Sequence, residues 1–381
     1  MKSEIQCAIW GSGQSGHRMR DIIASHIQDA EVVCYVDRDY KKLNLDESPQ
    51  IISAHRLKML TEEGKIDRIL IPGYARLTLS DIMDELYDIG IDPKLLYYVN
   101  LDDFEEWCKE KQSLQAVFDM ENSKIPYIGS LEYEVSHFCN LNCKRCDHFS
   151  NLAPKGSFAD PKSFERDLTQ ISKFVENICE LKLLGGEPLL NEDLPLFIEA
   201  ARRVFPRAAI YIFTNALILR NISKSLIDCI RKNDIVVTFT VYPPMFGQID
   251  DVVMFLRREG LKFAIYHEVK DFAAWINLNG DSDPRKAQRA CFSGECHCFK
   301  DGMLFKCTQA LNTDVFNEKY NQKLPQEYLD LYDETLTASK VREFLTASNA
   351  LCRYCGPYKW YGWEQTGKDS DLSEWITDQK F

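Results

Sequence analysis

The chain has 381 residues, enough for two or three domains of ordinary size. Hydrophobic residues at 45% and charged residues at 27% describe a globular protein rather than a disordered one. With 46 Lys and Arg against 58 Asp and Glu the net charge is -12, which argues against a general nucleic-acid footprint, because nothing offsets phosphate repulsion.

The opening residues, MKSEIQCAIWGSG, lack the long apolar core and small-residue cleavage site of a secretory signal. No run of about 18 apolar residues occurs, so no membrane span is expected and the location is expected to be cytoplasmic. The 14 cysteines fall well short of the roughly 8–10% of a disulfide scaffold. In a reducing compartment they are core fillers, metal ligands or nucleophiles. Cys7, Cys34, Cys108, Cys179 and Cys229 sit singly among apolar residues and are expected in cores. The rest fall in three groups: Cys139, Cys143 and Cys146; Cys291, Cys296, Cys298 and Cys307; Cys352 and Cys355.

Residues 1–118 read as short apolar strands alternating with helices, which predicts a parallel sheet. Strands are expected at 5–10, 31–36, 50–53, 68–71 and 95–99, with helices at 17–27, 54–63 and 79–89. A connecting helix is expected over 104–120. Gly11, Gly13 and Gly16 follow the first strand and open a helix, and Asp37 ends the second strand. That context gives the three glycines a meaning: a tight turn, backbone approach to a pyrophosphate, and close helix packing. Asp37 would then bond a ribose hydroxyl. The segment is similar to the truncated Rossmann-like domains joined to sugar-modifying enzymes of surface-polysaccharide pathways. That resemblance implies a nucleotide or nucleotide-sugar ligand. A Rossmann-like module that binds nothing is the plainer alternative.

A second α/β series is expected over 119–275, with strands at 131–135, 181–184, 210–213, 235–241 and 262–266. Helices are expected at 161–177, 193–204, 223–232 and 249–259. Cys139-Asn-Leu-Asn-Cys143-Lys-Arg-Cys146 follows the first of these strands. Three thiolates from one loop suit an iron–sulfur cluster with one iron left open, or a zinc knuckle completed by His137 or His148. Gly185-Gly186-Glu187-Pro188 follows the next strand, where glycines admit a ligand and a carboxylate accepts from an ammonium group. The two motifs together resemble the radical S-adenosylmethionine (radical SAM) superfamily. The resemblance implies a partial (β/α)6 barrel and a 4Fe-4S cluster on Cys139, Cys143 and Cys146 that binds SAM. It further implies reductive cleavage of SAM, hydrogen abstraction from substrate by the 5′-deoxyadenosyl radical, and a reductant such as flavodoxin or ferredoxin. Gly185, Gly186, Glu187 and Pro188 would contact SAM, with Thr214, Asn215 and Thr240 as further contacts at strand ends.

Residues 276–381 are rich in Cys, Gly and aromatics. Ten residues separate Cys291 from Gly302, four separate Gly302 from Cys307, and Cys352-Arg-Tyr-Cys355 follows. This looks like the SPASM/twitch extensions of radical SAM enzymes. The resemblance implies one auxiliary 4Fe-4S cluster on Cys291, Cys307, Cys352 and Cys355. A structural zinc ribbon has the same ligand types. Cys296 and Cys298 are alternates for Cys291, packing residues, or a catalytic thiol that returns a hydrogen atom to a substrate radical. The aromatic run from Tyr358 to Trp363 is expected to pack against the cluster.

The fold expected is therefore α/β: an N-terminal Rossmann-like parallel sheet, a partial barrel, and a small cysteine-rich auxiliary cluster domain. The expected function is a radical SAM oxidoreductase or epimerase that dehydrogenates or epimerises a sugar or nucleotide-sugar. The rival readings are a radical SAM peptide-modifying maturase and a zinc-stabilised, non-catalytic nucleotide-binding protein.

Overall fold

The computed structural model describes residues 4–381 except 43–47, 73–81, 83–84, 87, 93–94, 100, 292–295 and 367–369. The chain divides into two units, Met1–Pro126 and Tyr127–Phe381.

In the first unit the strands are β1 (Ile5–Trp10), β2 (Ala30–Val36), β3 (Gln50–Ile52), β4 (Arg68–Pro72) and β5 (Leu96–Val99). They run in the order β3-β2-β1-β4-β5 with every pair parallel. This is the order of the first five strands of a doubly wound sheet. Alternation along β1 sends Cys7 and Ile9 into one apolar layer, with Met19 and Ile22 of α1 (Gln14–His26). Ala8 and Trp10 enter the opposite layer, with Leu57 of α2 (Ala54–Glu62). The expected helix at 79–89 lies largely outside the described residues.

The single helix expected over 104–120 is two helices, α3 (Leu101–Lys111) and α4 (Leu114–Ser123). Gln112 takes a left-handed φ of 55°, and Asp29 then captures the amide of Leu114 at 2.7 Å and the hydroxyl of Ser113 at 2.7 Å. Leu114, Val117 and Phe118 belong to the first unit's core, so the boundary falls after 126 rather than at 118. Gly16 packs the start of α1 against the glycine loop, and a Cβ there would lie 2.0 Å from the carbonyl oxygen of Gly11. Gly16→Ala is expected to destabilise this unit by about 2 kcal/mol. Thermal unfolding followed by circular dichroism checks it, with a drop of roughly 8 °C in the melting of this unit.

The second unit carries β6 (Ile125–Ser136), β7 (Val175–Gly185), β8 (Ala209–Thr214), β9 (Val236–Val241) and β10 (Lys262–Glu268). Between them run α5 (Pro161–Ile171), α6 (Leu194–Val204), α7 (Lys224–Lys232) and α8 (Ile249–Arg258). The side chains of Asp160 and Ser223 accept from the amides of Ser163 and Leu226, which starts α5 and α7 where the chain leaves a loop. Helix α5 stops at Ile171 rather than continuing to 177, because Val175 already enters β7. One sheet face packs on the helices, where Tyr133, Phe164 and Phe197 meet ring to ring. The pairs β7–β8, β8–β9 and β9–β10 are parallel.

Two features depart from a simple six-stranded half-barrel. The strand after β10, β11 (Asp271–Ile276), pairs antiparallel with β15 (Cys355–Gly362) in a sheet of their own. The main sheet grows instead on the other side of β6, where β12 (His297–Lys300) joins in parallel, followed by β13 (Met303–Phe305) and β14 (Tyr328–Asp330). The cysteine-rich region therefore continues the same sheet and forms one unit with the βα series, without a division at 275. Asp167 of α5 fastens the join: it is 1% exposed and accepts from the amide of Gly302 at 2.7 Å and the hydroxyl of Tyr332 at 2.8 Å.

Candidate functional site

The loop Cys139–Cys146 leaves the end of β6 and is held from three sides. On the first side, the turn after β7 is laced to the chain entering Cys139. The amide of Gly186 donates to the carbonyl of Ser136 at 2.6 Å and that of Glu187 to the carbonyl of Phe138 at 3.0 Å. A Cβ on Gly185 would lie 2.2 Å from the oxygen of Ser136, and one on Gly186 would lie 2.2 Å from the oxygen of Phe138. Two glycines are needed because no side chain fits between these backbones.

On the second side is a carboxylate. Glu134 of β6 is 4% exposed, and its Oε1 accepts from His148 Nδ1 at 2.7 Å and Asn312 Nδ2 at 2.6 Å. Its Oε2 lies 3.1 Å from His137 Nδ1. Burial alone would raise its pKa, but the two histidines outweigh that and hold it at about 2. For His148 burial works downward, yet Glu134 holds its pKa above 6.5. The two histidines considered for a zinc knuckle are thus partners of Glu134, flanking the cysteine loop rather than completing it. On the third side, residues beyond β15 cross the loop, and the indole Nε1 of Trp363 donates to Cys143 Sγ at 3.1 Å.

The three thiols interact with one another, and their pKa values are raised, first by burial and then by their neighbours, that of Cys139 to about 12. Tyr242 lies within reach of all three, and its hydroxyl is likewise pushed up, by burial and then by the thiols. Three thiols on one loop that resist ionisation need a cationic centre to become thiolates. Among the described residues no three Cys, His, Asp or Glu side chains are grouped to hold one metal ion. Iron–sulfur clusters are held by cysteine thiolates, usually four, so three from one loop would leave one iron position open.

Glu187, expected to contact SAM, is fully buried, with Oε1 accepting from Thr214 Oγ1 at 2.7 Å and Oε2 from the amide of Asn215 at 2.8 Å. Burial raises its pKa to about 7 against these bonds. Its carboxylate orients the end of β8, and Asn215 Nδ2 carries the contact onward to Asn140 Oδ1 at 2.8 Å and Cys139 Sγ at 3.6 Å. Pro188 opens the short helix Pro188–Leu190 that follows. Thr240 lies on β9, two residues before Tyr242.

The sheet face away from the helices is polar. Lys182 Nζ lies 3.5 Å from Glu132 Oε1, and Thr308 Oγ1 donates to Glu132 Oε2 at 3.0 Å. Register places Tyr211 beside Lys182 and Thr238 beside Phe213. The buried hydroxyl of Thr238 has no hydrogen-bond partner. Glu132, Glu134, Lys182 and Tyr242 were not singled out from sequence, and Trp363 was expected only to pack. Only the alternation of Glu132 and Glu134 in an otherwise apolar strand signalled any of them.

A second set of cysteines gathers in the C-terminal region. Cys291, Cys307, Cys352 and Cys355 line one cavity with Trp275, Lys306 and Tyr358. Burial and the neighbouring thiols raise the pKa of Cys352 to about 11 and those of Cys307 and Cys355 further. Tyr358 Oη donates to Cys291 Sγ at 3.6 Å. Lys306 is 5% exposed, with Nζ 3.1 Å from Glu327 Oε1, and puts a cation at the wall. Cys298 does not line this cavity; it is 1% exposed in an apolar cluster with Phe149, Phe305 and Leu351, which is the environment of a packing residue. Cys296 is half-buried near Cys298 and Cys307. Of the five scattered cysteines, Cys7, Cys34, Cys108 and Cys229 are buried and Cys179 is half-buried.

In the first unit, Asp37 reaches the glycine loop, but its Oδ2 accepts from the amide of Ser12 at 3.0 Å and its hydroxyl at 2.7 Å. Burial would raise the Asp37 pKa; these bonds prevail and lower it. Gly11 has a φ of 94°, and Gly13 precedes α1 with no side-chain cap, so the amides at the start of α1 are open to a ligand.

Comparison with known proteins bears on the second unit. Residues 134–241 match a 4Fe-4S single cluster domain. The chain is 23% identical over 236 residues to a probable GTP 3',8-cyclase of Methanococcus aeolicus, covering 60% of this chain and 73% of the relative. It is 30% identical over 102 residues to a GTP 3',8-cyclase of Hydrogenovibrio crunogenus, covering 26% of this chain and only 30% of the relative. A 7,8-dihydro-6-hydroxymethylpterin dimethyltransferase of Methanocaldococcus jannaschii is 33% identical over 93 residues, 24% of this chain and 18% of the relative. Partial likenesses among solved structures include BtrN in complex with AdoMet and 2-DOIA, at 16% identity, 60% of this chain, 92% of that one and a TM-score of 0.35. Streptococcus suis SuiB bound to its precursor peptide has 18% identity, 55% and 44% coverage and a TM-score of 0.30. No helix among the described residues is long and apolar enough to cross a membrane. The cysteine loop, the glycine turn laced to it, the matched 4Fe-4S domain and the GTP 3',8-cyclase relatives together support a radical SAM enzyme with a cysteine-rich C-terminal region.

Proposed function

We propose that the chain is a radical SAM oxidoreductase or epimerase whose substrate is a sugar or nucleotide-sugar. Cys139, Cys143 and Cys146 would hold the SAM-binding 4Fe-4S cluster, and Cys291, Cys307, Cys352 and Cys355 an auxiliary one. When bound, cluster and SAM supply radical chemistry that removes a hydrogen atom from substrate. The protein's own part is to bind and orient. The turn at Gly185 and Gly186 brings backbone close to the cluster loop, and Asn215 fixes Asn140 beside Cys139.

The observation that carries the reading is the separation of the cysteines into a loop of three and a cavity of four. A set of three leaves an open iron position, and a set of four closes one. The substrate class draws support from two places. The glycine loop and parallel sheet of the first unit suit a nucleotide. On the sheet face away from the helices, Lys182, Glu132 and the unpartnered Thr238 hydroxyl offer donors and acceptors to a hydroxylated molecule. The test uses reduced, reconstituted enzyme with deuterated sugar nucleotides and measures label in 5′-deoxyadenosine. Transfer from one of them is expected. SAM cleavage without label from any of them sinks the substrate class and turns attention to peptide substrates.

A further inference from the structure

We infer that Trp363 sets the reduction potential of the cluster on Cys139, Cys143 and Cys146, acting from a strap that starts at the second cysteine set. The inference rests on the cluster assignment proposed above. Strand β15 begins at Cys355, which lines the four-cysteine cavity, and ends at Gly362. The next residues cross the cysteine loop. The amide of Lys144 donates to the carbonyl of Glu364 at 2.9 Å, and that of Thr366 to the carbonyl of Asn142 at 2.8 Å. Gln365 Nε2 donates to the carbonyl of Leu141 at 2.9 Å, and Lys144 Nζ pairs with Glu364 Oε2 at 2.8 Å. Arg145 stacks its guanidinium 4.0 Å from the centre of the Tyr361 ring. These contacts flank Cys143 on both sides and hold the strap without help from the Trp363 side chain.

What Trp363 adds is one N–H aimed at the Cys143 sulfur, 3.1 Å away. The backbone of Trp363 is itself held, its amide donating to the carbonyl of Lys270 at 2.8 Å. A cluster gains a negative charge on reduction, and a hydrogen bond to a ligand sulfur stabilises that charge more than the oxidised state. The N–H therefore makes the cluster easier to reduce. The signal reaches it only when the segment from Cys355 onward is in place, which ties the reactivity of one cysteine set to the folding of the other. Trp363 is a positioning residue here; it touches the ligand sulfur and not substrate.

The experiment is an anaerobic redox titration of the full reconstituted chain followed by EPR, with SAM added to mark the signal of the SAM-binding cluster. Trp363→Phe keeps the ring and removes the donor. It is expected to make reduction about tenfold less favourable at a fixed potential, a downward shift of about 59 mV for one electron. An unchanged midpoint with full iron content overturns the inference. Should Trp363→Phe fail to hold iron, wild-type protein grown with indole-15N tryptophan decides. A nitrogen hyperfine coupling to the SAM-marked cluster supports the inference, and its absence overturns it. If a chain lacking all three loop cysteines keeps the SAM-marked signal, the cluster assignment fails instead.

Discussion

Gly186→Ala is expected to abolish assembly of the cluster on Cys139, Cys143 and Cys146 while leaving the first unit folded. The added methyl would sit 2.2 Å from the carbonyl oxygen of Phe138, 2.4 Å from its carbon and 2.8 Å from the amide nitrogen of Cys139. All three obstacles are backbone, so no side chain can swing aside. Overpacking of this kind costs about 3 kcal/mol where the neighbours can give. Here they can give only by pushing Cys139 away from its partners and breaking the bond from Glu187 N to Phe138 O. Iron analysis after anaerobic reconstitution checks it: loss of about four irons is expected, one 4Fe-4S cluster. Full iron content would mean that the two backbones are not pressed together as described.

Removing the carboxylate of Glu134 should be nearly as damaging, by a different route. Glu134→Ala leaves His137, His148 and Asn312 facing a buried gap, and breaking a buried charged pair costs about 3–5 kcal/mol. Both histidines flank the cysteine loop, so the loss falls on the loop as well as on stability. The pH dependence carries the sign of the cause. The carboxylate's pKa is lowered from 4.5 to about 2, so its contribution is fully present above pH 4.5 and lost as pH falls toward 2. The pKa of His148 is raised above 6.5, so its contribution is fully present below pH 6.5 and lost as pH climbs through the raised value. The pair is therefore strongest between those limits. In Glu134→Gln the decline above pH 6.5 should flatten, measured by denaturant unfolding of the second unit across pH. A wild-type slope in the variant would show that Glu134 is not what holds His148.

The parts of this protein that sequence made legible are the local ones. Periodicity located every strand from β6 to β10, and the glycines at 11, 13, 16, 185 and 186 announced tight approaches that the backbone does make at 16, 185 and 186. Cys291, Cys307, Cys352 and Cys355, which the SPASM/twitch resemblance grouped together, line one cavity. Pairings between distant segments were not legible. Nothing in the run 297–300 announces that it joins β6 rather than folding apart, because an apolar strand fits either place. The break at Gln112 depends on Asp29, more than eighty residues away in the chain, as the 85-residue separation of Asp29 and Leu114 shows. Glu187 carries the expected motif yet spends both oxygens on Thr214 and Asn215, because a buried carboxylate takes the nearest donors. Trp363 belonged to an aromatic run expected to pack; its N–H points at a thiol only because the chain beyond β15 returns to the first cysteine loop.

The proposed chemistry requires the cysteine loop to be the seat of SAM cleavage. The direct measurement is 5′-deoxyadenosine formed by reduced, anaerobically reconstituted protein and by its Cys143→Ala variant. Wild type should hold about eight irons and cleave SAM, and the variant should lose about four of them and all cleavage. A colourless wild-type protein that carries zinc, or cleavage that survives the loss of Cys143, would contradict it.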